Sequence, residues 1–415
     1  MNSRRIVITG IGAVSCAGNS WTETWNSLSS GRSGIGHLTR FPAEGLPDCA
    51  GEVRDLVLTD VTPKEERRMP RAVRFAVSAG DEAMRMAGLS RDPGERGGDP
   101  FRFGVLLANG AGAVDEYEKN LNILERRGPS GVSAFFIPKF MSSASTGNLA
   151  VRYRLQGPGF DTVSACASSA HAIGEAMWII RRGDADIMLA GGSEACLTRL
   201  MMSGFNSLTA LSCHPDPVRA CRPFDLNRNG FVLAEGAAVL VLEELEHARS
   251  RGAQILAELS GYGATCDGWH ITAPDPDARG LVRAMRNAME LAECPVDGIG
   301  CISAHGTGTI ANDRCEARAI RTVFGERTDR IKVSAIKSMI GHAMGASGAL
   351  SAAAAVQTLR TGIVPPTINY ETPDPECPLD VTPNVAAKID TDAVMTTSLG
   401  FGGHNAVLIF KRWKG

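Results

Sequence analysis

The sequence predicts an α/β protein that is built in layers from two similar halves. Short apolar runs typical of buried strands alternate with alanine-rich segments of helical periodicity. A chain of 415 residues is also longer than a single hydrophobic core usually supports. A stretch near the middle of the chain has a second version near its end, and this self-similarity indicates a duplicated unit.

The predicted strands are short and rich in branched side chains. In chain order they are RIVITGIG, FGVLLA, DIMLAGG, AAVLVLEE, GCISAHG, IKVSAIKS and NAVLIF. The predicted helices cover residues 71–88, 166–182, 279–293, 313–324 and 343–361. Alternation of this kind favours helices that cover both faces of mostly buried sheets.

The duplicated unit is visible in Val163–Ile187 and Val333–Pro365. Each segment begins with VSA at a strand end, continues through small residues into a long helix, and reaches a basic turn before the next strand. A charged helix end followed by Gly252 places the domain boundary, so we expect an N-terminal domain at 1–252 and a C-terminal domain at 253–415.

Composition excludes several classes of function. A formal net charge of −2 provides no overall field for gathering nucleic acid or a membrane surface. Eleven cysteines without a CxxC pair argue against a disulfide scaffold or a zinc module. No signal-peptide core or apolar run of about 18 residues is present. We expect a cytoplasmic protein with no metal, nucleic-acid or membrane partner.

Cys166 is the first candidate catalytic residue. It follows DTVSA, where a strand should end, and opens a segment with helical periodicity. A thiol at a helix N-terminus meets unpaired backbone N–H groups and the positive end of the peptide dipoles, which favour the thiolate. A buried cysteine in a tight helix–sheet contact would have the same surroundings, so this position alone does not establish a nucleophile.

Two further strand-to-helix turns carry titratable residues. His305 directly follows a strand in SAHGTGTIAND, and Lys337 and His342 lie in SAIKSMIGHAMGASG. A lysine among small apolar residues is costly to bury without a partner, which indicates a function. Near the C-terminus, GFGGHN joins two strands, and its glycines permit close approach of the backbone to a ligand.

Taken together, SACASS, AHGTGT, KSMIGHAMGASG and GFGGHN resemble the motifs of the β-ketoacyl-acyl-carrier-protein synthases, in particular the type II elongating enzymes. The likeness extends from RRIVITGIGAVS to the last strand. It implies the thiolase fold, in which two similar halves form five layers in the order α-β-α-β-α, and it implies a homodimer. The motifs occur in order, and together they are far more specific than any one alone.

The resemblance implies decarboxylative condensation of malonyl carrier protein with an acyl chain on Cys166. The backbone N–H groups of Cys166 and Phe401 would stabilise the tetrahedral intermediate. Phe401 and Gly402 belong to a gating loop. His305 and His342 would act on the malonyl thioester, and the resemblance does not assign one of them to decarboxylation.

Further site residues follow from the same resemblance. Lys337 would support His305 through Glu316. The remaining expected contacts are Thr307 and Thr309 for the pantetheine arm, Ala111, Phe136 and Phe205 for the acyl chain, and Lys64, Arg67, Arg68, Arg71 and Arg74 for docking of acidic acyl carrier protein. Pro70 argues against a continuous helix through that basic cluster. No cofactor is expected, because the substrates arrive on the carrier's phosphopantetheine.

Several departures leave the substrate open. Leu399 stands where an aromatic residue is common, His404 where threonine is frequent, and Ala111 where a bulkier aliphatic residue is often found. Ser130 and Gly131 replace a basic pair that relatives use for docking. HGTGT followed by Asn312 leans slightly toward the polyketide relatives.

The main alternative is the condensing subunit of a type II polyketide synthase, which would pair with a subunit resembling a chain-length factor. The motifs do not separate this function from fatty acid elongation. A degradative thiolase would need a second cysteine near GFGGHN, and a chalcone-type enzyme would need asparagine in place of His342. A non-condensing chain-length factor would lack Cys166. A dinucleotide-binding oxidoreductase is disfavoured because Ser15 replaces the third glycine of its motif.

Overall fold

The computed structural model describes residues 4–96 and 98–415. Its main sheet has ten strands. They are β1 (Ile6–Ser15), β2 (Phe103–Ala108), β3 (Gly159–Thr162), β4 (Ile187–Glu194), β5 (Gly236–Glu244), β6 (Ala257–Cys266), β7 (Ile299–Ser303), β8 (Lys332–Ser334), β9 (Ala393–Gly400) and β10 (His404–Lys411). Ile363–Val364 and Ala387–Lys388 form a separate two-stranded sheet.

The helices lie on both faces of these strands. They are α1 (Trp21–Ser29), α2 (Pro63–Glu66), α3 (Arg71–Met86), α4 (Val114–Arg127), α5 (Phe136–Phe140), α6 (Ala144–Tyr153), α7 (Ser168–Arg182), α8 (Arg199–Ser207), α9 (Leu245–Ser250), α10 (Arg279–Leu291), α11 (Ile310–Phe324), α12 (Lys337–Ile340) and α13 (Ser347–Thr361). No helix in the described residues is long and apolar enough to cross a membrane.

The strand order is β3-β2-β4-β5-β1-β6-β10-β9-β7-β8. From the β1–β6 junction outward, the first half has β1, β5 and β4, which are antiparallel neighbours, followed by β2 and β3, which run parallel to β4. The second half repeats this pattern, with β6, β10 and β9 antiparallel, followed by β7 and β8 parallel to β9. Only Ile6–Ile8 and Ala257–Leu259 pair across this junction. The symmetry of the order supports the predicted duplication, and the exact domain boundary at 252 stays a prediction.

Two helices of equal length form the middle layer. Helix α7 packs on strands of both halves, and α13 does the same. Every residue of Ser347–Val356 is buried, because small side chains let the helix fit between two layers. Helices α3 and α10 cover the outer faces. The two halves of the ten-stranded sheet are thus two sheet layers, with one helix layer between them and a helix layer on each outer side. This five-layer arrangement is the thiolase fold.

Glycines in β1 and β6 set the distance to the outer helices. A Cβ at Gly10 or Gly12 would lie 2.2 or 1.9 Å from a carbonyl oxygen of α3. A Cβ at Gly261 or Gly263 would lie 2.3 or 2.0 Å from a carbonyl oxygen of α10. The GIG of β1 therefore allows close strand–helix packing, and it is not a dinucleotide loop.

A tight turn precedes each central helix. Ala165 has φ +51° and Met344 has φ +42°, values that are costly for residues with a Cβ. A 3₁₀ turn follows in each half, at Ala165–Ala167 and Met344–Ala346. The predicted helices at 166–182 and 343–361 therefore begin later than expected, at 168 and 347. By this alignment Gly345 is the counterpart of Cys166.

Candidate active site

A thiol and two imidazoles meet where the two halves join. The Sγ atom of Cys166 and one ring nitrogen each of His305 and His342 lie within 4.8 Å of one another. The two imidazole rings are 5.4 Å apart between centroids and nearly perpendicular, at 86°. All three side chains are buried. The first half supplies the thiol and the second half supplies both rings.

The setting of Cys166 differs from the sequence prediction. It lies in the 3₁₀ turn before α7 and is not at the first residue of that helix. Burial raises the pKa of the thiol to about 12, although the Lys337 charge and the backbone N–H groups of Phe401 and Cys166 act to lower it. The expectation of a favoured thiolate is therefore wrong for the resting protein, and the thiol needs a base when it reacts.

Lys337 contacts His305 directly. Its Nζ donates to the carbonyl oxygen of His305 at 2.6 Å and lies 3.5 Å from Nδ1 of the same ring. The lysine is fully buried at the start of α12, and burial lowers its pKa to about 8 while the Glu316 charge opposes this shift. The expected route from Lys337 to His305 through Glu316 is therefore replaced by direct contact.

Glu316 holds the backbone on which His305 lies. Its carboxylate accepts hydrogen bonds from the backbone N–H groups of His305 and Gly306, each at 2.8 Å. The Thr397 hydroxyl, which the sequence analysis did not single out, donates to the same carboxylate. Because α11 and β9 carry these two side chains, the turn after β7 is fixed from both sides.

His342 is held between a hydroxyl and an aromatic ring. Its Nδ1 lies 2.9 Å from Oγ of Ser347, and the Phe231 ring packs edge-on at 5.2 Å. The backbone N–H of His342 donates to the carbonyl oxygen of Val232 at 2.7 Å. Since Ser347 engages Nδ1 here and Lys337 engages Nδ1 of His305, Nε2 of each ring remains available to a substrate.

Both imidazoles are neutral at pH 7. Burial and the Lys337 charge lower the pKa of His305 and of His342 well below the usual value of 6.5. A thiol with two imidazoles is also a ligand set that soft metal ions accept. The Lys337 ammonium beside His305 opposes a dication at this position.

A cavity of about 250 Å³ leads from the surface to the two rings. Thr307 and Thr309 line it, as the sequence predicts for pantetheine contacts, and their hydroxyls are 2.9 Å apart. Phe401 lines the same cavity and also packs against the buried apolar cluster that contains Cys166. The Phe401 ring therefore stands between the entrance and the thiol.

Residues Gly400–His404 form a turn between β9 and β10 that we call the glycine loop. Gly402 and Gly403 have φ of +90° and +79°. The N–H of Gly402 donates to the carbonyl oxygen of Ile271 at 2.6 Å, so it is not available to a substrate oxygen. The N–H of Phe401, one of the two predicted oxyanion donors, lies close enough to favour the thiolate of Cys166.

The three predicted acyl contacts have different locations. Phe205 is buried beside Phe231, with ring centroids 5.3 Å apart, in the apolar cluster of Cys166. Ala111 is half-buried in the turn after β2, where its N–H donates to Asn109. Phe136 stacks on Phe140 at the outer face of α5 and does not reach the site of its own chain. Phe136 is not among the residues that line the cavity, and its acyl contact stays a prediction.

Glu194 is a buried carboxyl that the sequence analysis missed. Its Oε2 accepts hydrogen bonds from the N–H groups of Gly110 at 2.7 Å and Gly345 at 3.1 Å. Its Oε1 has no hydrogen-bond partner among the described residues. Burial raises the pKa of this carboxyl to about 7. Its position at the end of β4, within GGSE, is the only signal the sequence offers.

The predicted basic docking cluster is divided. The chain breaks at Pro70, as predicted, into α2 and α3. Arg71 is bound to buried Glu235 with Nε to Oε2 at 2.8 Å, and Arg74 is bound to Glu66 at 3.0 Å. Both arginines therefore form ion pairs with carboxylates of the same chain. The remaining cations of the cluster are exposed: Lys64, Arg67 and Arg68.

A buried thiol beside two neutral imidazoles, with a cavity that reaches both rings, is the arrangement expected of an acyl-transferring condensing enzyme of the thiolase fold. Comparison with known families agrees. Residues 3–248 match the N-terminal domain of β-ketoacyl synthase, and residues 256–371 match its C-terminal domain. The chain belongs to the β-ketoacyl synthase family.

Relatives of known name match over their full length. The chain is 43% identical to 3-oxoacyl-[acyl-carrier-protein] synthase 2 of Staphylococcus aureus strain COL over 99% of both chains. It is also 43% identical to the enzyme of that name from Synechocystis over 100% of this chain and 99% of the relative.

Solved structures match equally completely. A complex of a type II polyketide synthase acyl-carrier protein with its ketosynthase, bound to a hexaketide, contains a chain with a TM-score of 0.92 and 33% identity, covering 99% of this chain and 100% of that one. A β-ketoacyl synthase from Burkholderia phymatum gives a TM-score of 0.90 and 34% identity with the same coverage.

Proposed function

We propose that the protein is a 3-oxoacyl-[acyl-carrier-protein] synthase that elongates fatty acids. The observation that carries this proposal is the placement of the Cys166 thiol within 4.8 Å of two imidazoles, those of His305 and His342, which line a cavity. Identity of 43% over whole chains with two synthases of that name supports the same reaction.

Cys166 accepts the acyl chain in the first half of the reaction. Its sulfur attacks the thioester carbonyl of acyl carrier protein, and a neutral imidazole serves as the base, since the resting thiol is protonated. The N–H groups of Cys166 and Phe401 stabilise the tetrahedral oxyanion. One such donor is typically worth about 3 kcal/mol of barrier. The carrier thiol then leaves with the proton.

His305 and His342 serve the second half. The Nε2–H of His305 donates to the malonyl thioester oxygen while carbon dioxide leaves, so that negative charge on the enolate is stabilised, and His342, the base of the first half, lies beside it. The carbanion attacks the acyl carbonyl on Cys166, the new carbon–carbon bond forms, and the sulfur departs as a thiolate that takes up a proton from solvent. Lys337 keeps His305 neutral through its charge, and Glu316 fixes the backbone of the histidine.

Acyl carrier protein, loaded with an acyl or a malonyl group, is the proposed partner. Its acidic surface suits the exposed cations Lys64, Arg67 and Arg68, and Thr307 and Thr309 line the path for its pantetheine arm. The reaction uses no cofactor, because the thioester supplies the leaving group and loss of carbon dioxide supplies the carbanion. We place the protein in the cytoplasm.

A second copy of the chain completes the assembly. Helices α4, α5 and α6 pack in succession next to the edge strand β3. This α4–β3 face exposes a large set of apolar side chains: Tyr117, Leu121, Leu124, Phe135, Ile137, Phe140, Met141 and Phe160. Soluble monomers rarely expose so many together. Phe136 lies on the same face, stacked on Phe140.

The second candidate function is the condensing subunit of a type II polyketide synthase. Gly308 in the HGTGT segment, Asn312 just after it and the small side chain of Ala111 favour it. The likeness of 33% to a chain of a polyketide ketosynthase complex is lower than the 43% to the fatty acid enzymes. A chain-length-factor-like subunit would then occupy the α4–β3 face in place of a second copy.

Mass spectrometry of the intact protein after exposure to a panel of acyl carrier thioesters tests the proposal. We expect one added acyl group on Cys166, followed by release of the 3-oxoacyl product when malonyl carrier protein is supplied. Loading on another thiol, or no loading from any chain, contradicts it. Turnover of saturated chains by the protein alone favours fatty acid elongation, and a requirement for a second subunit favours polyketide synthesis.

A further inference from the structure

His171 lies between two segments that the proposed reaction uses, the turn that carries Cys166 and the glycine loop. It is five residues after Cys166 on α7, and its Nδ1 lies 2.6 Å from Oγ of Ser164. Ser164 is also fixed by its backbone N–H, which donates to Oγ of Ser168 at 2.9 Å. Since Ser164 precedes Ala165, whose φ is +51°, the histidine supports the turn that aims the thiol.

The same ring contacts the far end of the glycine loop. The ring of His404 meets it edge-on, with centroids 6.5 Å apart at 88°. The backbone of Asn405, the next residue, lies close enough to favour the protonated ring. On a third side the ring of Tyr262 packs edge-on at 6.3 Å. His171 therefore lies beneath the glycine loop as well as beside the turn of Cys166.

The loop and the turn are in direct contact at Gly400. A Cβ on Gly400 would lie 2.4 Å from the carbonyl oxygen of Ser164 and 3.3 Å from the backbone nitrogen of Cys166. A shift of Ser164 would consequently displace the first residue of the loop. Phe401 follows immediately, and its N–H is the proposed oxyanion donor.

We propose that His171 is a positioning residue that holds the glycine loop and the Cys166 turn in register, so that the Phe401 N–H and the sulfur face the same carbonyl. This inference rests on the proposed function. Burial lowers the pKa of His171 to about 4, with the nearby His404 acting in the same direction. The ring is thus neutral at assay pH and can accept at one nitrogen and donate at the other.

The chemistry predicts a specific pattern of loss. Acylation of Cys166 depends on the register, whereas decarboxylation of malonyl carrier protein takes place at His305 and His342. A misplacement of about 1 Å costs on the order of 10²-fold in rate. We therefore expect His171→Leu to slow acylation by about 10²-fold and to change decarboxylation by less than about threefold.

Two polar replacements, His171→Asn and His171→Gln, distinguish a positioning role from a general packing role. Asparagine retains a polar atom near the position of Nδ1, and glutamine retains one near Nε2. His171→Asn should recover acylation toward the wild-type rate, because it restores the contact with Ser164. His37→Leu, at an exposed histidine that contacts Asp48, is the matched control.

The experiment measures single-turnover acylation by intact mass and decarboxylation by carbon dioxide release, with the melting temperature of each variant. Loss of acylation in His171→Leu with rescue by His171→Asn supports the proposal. Wild-type acylation in His171→Leu overturns it, and so does an equal loss of acylation and decarboxylation. If wild-type Cys166 takes no acyl group at all, the proposed function fails instead, and the two failures are distinguished.

Discussion

At the scale of the residue, Cys166 divides the reaction into a part that needs the sulfur and a part that does not. In the proposed mechanism, acyl transfer uses the thiol, whereas the two imidazoles act on the malonyl thioester. The proposal therefore predicts two partly independent activities.

We expect Cys166→Ala to abolish condensation and to retain decarboxylation of malonyl carrier protein. The alanine side chain cannot form a thioester, but it leaves His305 and His342 in place. Product analysis and carbon dioxide release measure the two activities separately. Normal chain elongation by Cys166→Ala would contradict the role of the thiol.

Lys337 sets the electrostatics of the two rings. Its positive charge lowers the pKa of His305, so removal of the charge in Lys337→Met should raise that pKa. We expect the acid limb of the pH–rate profile for decarboxylation to move to higher pH. An unchanged acid limb would rule out this electrostatic role.

Glu194 predicts a pH dependence of stability. Its pKa is about 7 in the folded chain against 4.5 for an ordinary glutamate, so the folded state binds more protons than the unfolded state between these values. The free energy of unfolding therefore falls as pH rises from 4.5 to 7, by about 3 kcal/mol from this group.

Glu194→Gln removes the titration but keeps an oxygen for the N–H groups of Gly110 and Gly345. Relative to the wild type, the variant should gain stability with rising pH and level off above pH 7. Chemical unfolding at pH 5, 6, 7 and 8 measures the difference. A difference that is constant over this range would show that Glu194 does not titrate there.

At the scale of the element, the glycine loop shows how backbone geometry serves the site. Gly402 has φ +90°, and an added Cβ would lie 2.8 Å from Nε2 of His404. The loop must also keep the Phe401 N–H near the sulfur. The unusual backbone angle at Gly402 and the position of the Phe401 N–H therefore depend on the same short loop.

Gly402→Ala should slow acylation of Cys166 by at least about tenfold, because backbone strain at this position displaces Phe401. Stopped reactions analysed by intact mass give the rate. Gly147→Ala is the matched control, since that glycine lies in α6 with open space around it and no unusual φ. Equal rates in the two variants would show that the loop tolerates the strain.

Much of the element pattern was predictable from the sequence, and the exceptions have physical causes. Strand β2 was predicted at its exact bounds, because six buried apolar residues in a row have no helical periodicity. Strand β6 was missed, because Gly261 and Gly263 replace side chains where the strand packs on α10. Helices α7 and α13 start late, because periodicity does not reveal a turn with positive φ.

The site residues that lie in distinctive sequence motifs were predictable, whereas the residues that matter through their three-dimensional contacts were not. Cys166, His305, Lys337 and His342 each stand in a strand-to-helix turn with a distinctive local sequence. Thr397, Ser347 and Glu194 are ordinary residues whose importance comes from a partner distant in sequence. The thiol pKa was misjudged for a similar reason, because burial is a property of the whole fold.

At the scale of the whole molecule, the α4–β3 face predicts association. Ile137 is 61% exposed and lies among other exposed apolar side chains. Burial of such a face between two copies would remove it from water.

We expect the wild-type protein to be a dimer by light scattering and Ile137→Glu to shift it toward the monomer, because the variant would bury a charge. Val385→Glu, at a residue that is 75% exposed elsewhere, should leave the dimer intact. A monomeric wild type, or a dimer unaffected by Ile137→Glu, would contradict this assembly.

The turn before α13 repeats the geometry that presents the thiol, yet it carries Gly345 at the corresponding position. A Cβ there would lie 2.4 Å from the nitrogen of Gly110, so no larger residue fits without a backbone shift. Replacing that glycine with cysteine would not give the enzyme a second acceptor. In the proposed mechanism, the duplicated architecture therefore carries one growing chain at a time, and the half without the sulfur acts on the malonyl group.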